Sequence, residues 1–191
     1  MAARLKFCDA SCLQYLQVLI AAAFIVAPSG SAAQTNAPVA VEKTRPANFA
    51  VSGNFSAVQI ATTDANKLLA EWQKSTPGVR FETSAQMRKN QPIFTFIVFK
   101  GCTPDAAGRC NVTADFQMID PAGKSYGEQK DTPVWVNLPP APNYNLQLSS
   151  AYLGIVIENK DLTGPYEVRT AITDHVSGVI LHTKETLTAI P

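Results

Sequence analysis

Two cysteines, Cys102 and Cys110, stand eight positions apart in FKGCTPDAAGRCNV. Three chemistries use such a pair: dithiol redox, metal ligation, or a covalent clasp on a loop. Redox catalysis places Cys-x-x-Cys at a helix start, where the helix dipole stabilises a thiolate; here the spacing is longer and both flanks alternate like strands. A zinc site with His175 and His182 would need cysteines two to four apart and histidines three to five apart, and neither spacing fits. Neither a metal nor a cofactor is expected.

The histidines and their neighbours raise a second set of chemistries. Asp174, His175 and Ser177 invite comparison with a hydrolytic triad. Consecutive strand residues point to opposite faces, however, so Asp174 is poorly placed to orient His175. With Ser177-Gly178 as a two-residue turn, His175 pairs with Ile180 and Thr173 with His182. The two histidines then share a diagonal on the outer face, as a weak metal or pH-sensitive patch or simply as solvated side chains. Glycoside chemistry needs paired carboxylates, and none can be picked out of acidic residues scattered over turns and outward phases. There is no Gly-x-Ser-x-Gly elbow, phosphate loop, His-Glu-x-x-His or dinucleotide fingerprint. No catalytic residue is nominated, and the expected activity is non-enzymatic.

The compartment decides among the cysteine readings. Arg4 and Lys6 precede the apolar run LQVLIAAAFIVA, and Pro28, Ser29 and Gly30 then break it before SAAQ. This is the plan of a secretory leader over residues 1–33, cleaved after Ala33. The run is short for a membrane anchor, so none is expected after cleavage. Cys8 and Cys12 leave with the leader. Cys102 and Cys110 are then the only thiols of an exported protein, periplasmic or secreted, and a disulfide is expected between them. So short a ring stabilises by roughly 2.5 kcal/mol and fixes the TPDAAGR loop.

Leader removal takes two of the 16 basic residues and one of the 15 acidic ones. The remaining chain is neutral with interspersed charges. That excludes the basic stripe of a nucleic-acid binder and a polybasic lipid-binding segment.

The elements that must position these residues are mostly strands. Residues 34–78 are read as a Pro-containing arm (34–48), a strand-like FAVSGNFSA, and a short helix capped at Thr63. Leu68, Leu69 and Trp72 form that helix's apolar stripe. From Val79 onward the chain reads as short strands: Val79, Phe81 and Thr83 alternate, and PIFTFIVFKG is apolar on both phases, so both of its faces should be covered. Trp72 is a candidate for covering the outer phase. Val112, Ala114, Phe116 and Met118 point inward, DPAG makes a turn, and Leu153, Ile155 and Ile157 share a face. About seven strands and one early helix predict an all-β sandwich.

Asp161, Gly164, Tyr166 and Val168 in DLTGPYEV resemble the tyrosine-corner region of immunoglobulin-like domains. Val168 stands where antibody domains carry a cysteine, and no Trp lies on the strand after the cysteine loop. The resemblance is therefore to bacterial immunoglobulin- or fibronectin-like modules, including macroglobulin-type ones, over residues 79–191. It implies an antiparallel immunoglobulin-like β-sandwich preceded by the arm and the helix.

Function is expected to be binding through loops, most naturally to an envelope or extracellular protein, with carbohydrate as the other ligand class. Asp105 and Arg109 of the cysteine loop are candidate contacts. So are Trp135 and Tyr144, joined by the stiff DTPVWVNLPPAPNYN segment, in which rigid aromatics give low-entropy contact. The alternative for Trp135 is a core plug. A structural role is the runner-up, in which FAVSGNFSA adds to the sheet edge of a neighbouring subunit.

Overall fold

A computed structural model describes residues 6–9, 45–74, 81–142 and 145–191. The described residues are mostly β, in two sheets with one short helix. One sheet contains β1 (Lys6–Asp9), β9 (Ala151–Val156), β5 (Pro92–Lys100), β3 (Phe55–Thr62) and β2 (Phe49–Ser52) in that order, and β8 (Gln147–Leu148) continues the β9 side of β5. The other runs β4 (Gln86–Arg88), β11 (Val179–Ile190), β10 (Gly164–Asp174), β6 (Cys110–Ile119) and β7 (Ser125–Leu138). All pairings are antiparallel except β4 on β11.

Strand periodicity places the main core between the sheets. Ile93, Ile97, Phe99, Leu153 and Ile155 from the first sheet meet Val112, Phe116, Met118, Tyr166, Val168 and Ile172 from the second. The other phase of β5, Phe96 and Val98, packs on its outer face beneath α1 (Ala65–Gln73), together with Leu68, Leu148, Tyr152 and Trp72. The doubly apolar strand is thus covered on both faces, and Trp72 lies where the sequence put it, stacked on Phe81 at 5.1 Å.

Four local expectations change. FAVSGNFSA is a hairpin: Ser52 pairs with Phe55, and Gly53 carries φ +57° at the first position of a two-residue loop. Such loops match the twist of the strands they join, and glycine takes the positive φ there without a Cβ clash. β3 then lies between β2 and β5, so residues 49–62 belong to the same sandwich as the rest. The helix cap is Asp64, whose Oδ1 accepts the Lys67 N–H at 2.9 Å, while Thr62 Oγ1 accepts the Asp64 N–H. Finally, Phe81–Ser84 is irregular rather than a strand, because Phe81 turns to the helix and Ser84 N–H donates to Ala61 O.

At the end of the sandwich near β10's start, the fully buried Tyr166 donates its hydroxyl to Leu162 O at 2.9 Å. Tyr126 packs edge-on against it at 5.4 Å and donates to Asp161 Oδ2 at 2.6 Å. Burial, with the Asp161 carboxylate nearby, pushes the Tyr166 phenol up to about 12.

Candidate functional site

The opposite pole gathers most of the residues singled out in the sequence. Cys102 and Cys110 are joined by a disulfide, with Cα atoms 6.0 Å apart, at the end of β5 and the start of β6. Both are buried. The loop between them is built around Asp105, whose Oδ1 accepts the N–H groups of Ala107 and Arg109 at 2.9 Å each. Short Asp side chains make such turns by replacing a backbone acceptor. Arg109 Nη1 donates to both Asn137 O (2.9 Å) and Asn137 Oδ1 (3.1 Å), which ties the loop to the end of β7. Gly101 is the hinge under the loop: a Cβ there would lie 2.0 Å from Asn54 O, and its φ is +76°. The β2–β3 turn therefore seats directly against it.

The residue at the centre, Asp174, stood out in the sequence only as a neighbour of His175 and Ser177. Asp174 is fully buried. Its Oδ2 accepts the Thr103 N–H (2.9 Å) and the Ser177 hydroxyl (2.8 Å), and its Oδ1 accepts the Val176 N–H (3.1 Å). A buried carboxylate is tolerated when its lone pairs are filled in this way. One side chain thus fastens the cysteine loop to the β10–β11 turn. The signal available was its inward phase, shared with Tyr166, Val168, Thr170 and Ile172.

That turn also corrects the histidine register. Asp174 pairs with Val179 and Gly178 N–H donates to Asp174 O, so four residues, 175–178, form the loop. His182 pairs with Ala171, and Thr173 with Ile180. His175 lies in the turn, its Nε2 2.8 Å from Thr113 Oγ1. The two histidines share no diagonal. Ser177 bonds to Asp174 and His175 to Thr113, so the three residues form no relay. Among the described residues no three His, Cys, Asp or Glu side chains gather as a metal site.

Trp135 is half-buried against the core, edge-on to Phe99 at 5.8 Å, and its indole N–H donates to Pro139 O at 2.8 Å. It sits opposite Val112, beside the cysteine loop. Tyr144 lies outside the described residues. Around these groups the pole exposes Val136 (40%), Val176 (38%) and Ile180 (53%). Asp105, Arg109, Trp135 and the Ser177 turn are thus brought to one end of the molecule.

A second feature is an open concavity of about 560 Å³ on the outer face of the β11-β10-β6-β7 sheet, floored by Ala171. Lys130, Arg169, His182 and Lys184 line it together with Asp115 and Glu128. Glu167 pairs with both Arg169 (3.3 Å) and Lys184 (3.0 Å), which hold its carboxyl below its ordinary range, Lys184 chiefly. The mixed charges leave no field of one sign.

No family model and no curated protein matches this chain. Among solved structures it is similar to a family 123 glycoside hydrolase from Clostridium perfringens, described for glycolipid glycan hydrolysis, at 11% identity and a TM-score of 0.37. The match covers 70% of this chain and 27% of that one. A likeness at that level assigns neither fold family nor activity.

Proposed function

We propose that this chain is an exported, non-catalytic binding module that engages a protein partner through the disulfide pole of an immunoglobulin-like sandwich. The observation that carries the reading is the convergence of three loops on Asp174, the disulfide and Arg109. Loops locked by buried polar bonds lose little entropy on binding. The exposed Val136, Val176 and Ile180 beside them give an apolar centre with a polar rim, as protein contacts have.

Three features support the immunoglobulin-like assignment: the strand order β3-β5-β9 facing β11-β10-β6-β7, the parallel β4 at the β11 edge, and the Tyr166 bond back to Leu162. That bond has the form of a tyrosine corner. The disulfide fits an oxidising compartment, and with the N-terminal apolar run it supports export.

Cross-linking mass spectrometry in the native envelope fraction tests the reading. Repeated links from residues 100–112, 131–142 or 175–180 to one other protein are expected, and they should disappear in an Ile180→Asp, Val176→Asp double variant. Links confined to other faces, or none while a control complex is captured, would overturn it.

A further inference from the structure

The sandwich has two flanks, closed in different ways. On one, the chain itself straps both sheets. Gln59 N–H donates to Asn48 O and Lys184 N–H to Ala47 O, each at 2.8 Å, while Thr188 N–H donates to Ala85 O at 2.7 Å. On the other flank the outermost long strands are β7 and β9. β7 carries the edge defences that sheet proteins use: Lys130, Asp131 at φ +52°, Pro133, and several register shifts against β6. β9 carries none. It reads AYLGIV, without charge or proline, and pairs with β5 in unbroken register from Leu153 to Val156.

On its free side, among the described residues, β9 is paired by Lys6–Asp9, from Lys6 opposite Gly154 to Asp9 opposite Ala151. Lys6 and Asp9 are the two end positions of this strand. These residues also lie ahead of the apolar run, inside the segment read as a leader.

We infer that Lys6–Asp9 is a removable cap on β9, and that its loss with the leader opens this edge to antiparallel pairing with β9 of a second copy. The inference rests on the export reading above. An uncapped β9 presents a row of unpaired N–H and C=O groups. Pairing two copies about a two-fold axis sets residue i against j and j against i. Because β9 has no charged side chain, no like charges meet in that arrangement, whatever its register. Among the described residues, both cores are built from position 50 onward, all within residues 34–191.

The test is sedimentation of residues 34–191 over a wide concentration range. A reversible dimer is expected, dissociated by Val156→Lys with an unchanged circular dichroism spectrum. A peptide of residues 1–12 carrying Cys8→Ser and Cys12→Ser should dissociate it too, and a scrambled peptide should not. A strict monomer, or a dimer indifferent to both the variant and the peptide, would overturn self-pairing at β9. A monomer that instead captures another envelope protein along β9 would do so as well. The mass of the exported protein separates the two readings: an intact N-terminus would overturn export cleavage, and removal of the cap with it, while the peptide experiment still decides whether residues 6–9 bind β9.

Discussion

Asp174 accepts the backbone N–H of Thr103 through Oδ2 at 2.9 Å, so a buried carboxylate on β10 fixes a loop 71 positions earlier in the chain. The same oxygen holds the Ser177 hydroxyl. Asp174→Ala would strand three donors and is expected to cost about 2–3 kcal/mol, in the range of hydrogen bonds to charged groups. Denaturant melts measure the loss, and amide exchange should quicken in residues 102–110 and 175–178 before it does in the sheets. A loss under about 0.5 kcal/mol, or uniform quickening, would remove Asp174 from its central place.

Disulfide removal should act on the same loops by another route. The ring is short, so Cys102→Ala with Cys110→Ala is expected to lower stability by about 2.5 kcal/mol and leave the fold cooperative. The Asp105 turn and the Arg109–Asn137 bonds remain to shape the loop. If exchange within residues 103–109 stayed at the wild-type level, the clasp would not be what orders them.

Tyr166→Phe keeps the buried ring and deletes only the hydroxyl that donates to Leu162 O. A cost of about 1 kcal/mol is expected, with exchange quickening around residues 158–164. An unchanged melt would mean that ring packing alone holds this corner.

How far these features were legible follows from their range. Tyr166 sits in a local pattern whose bond partner is four residues away, and β5 announces two buried faces through its own composition. Trp72 could be placed because helical spacing aims it at an apolar surface that needed cover. The Gly53–Asn54 hairpin was hidden because alternation looks alike in one strand and in two joined by a tight loop. The histidine register failed for a related reason. Ser177-Gly178 is a local turn signal, but Asp174 widens the loop by accepting from Val176 and Ser177. A polar residue buried by contacts distant in sequence leaves only its phase as a trace, which is why Asp174 drew attention as a neighbour of His175 and not as the bond between two loops.

Glu185 gives a pH-dependent prediction whose sign can be worked out. It lies on the inward phase of β11 with Leu181, Thr183 and Leu187, and it reaches the backbone of Ala61 on β3. Its Oε2 is buried without a partner. Burial pushes its carboxyl up from 4.5 to about 7, against the smaller opposing effect of the Ala61 hydrogen bond. The folded state therefore holds this proton more tightly than the unfolded chain does. Its contribution to stability is fully present below pH 4.5 and falls as pH rises, until the folded group has also ionised just above pH 7. The difference amounts to about 3 kcal/mol across that window. Denaturant melts from pH 4.5 to pH 8 should show this decline, and Glu185→Gln should flatten it and stabilise the protein at pH 8. A wild-type profile that rises across the window, or a Gln variant with the same slope, would place the titrating group elsewhere.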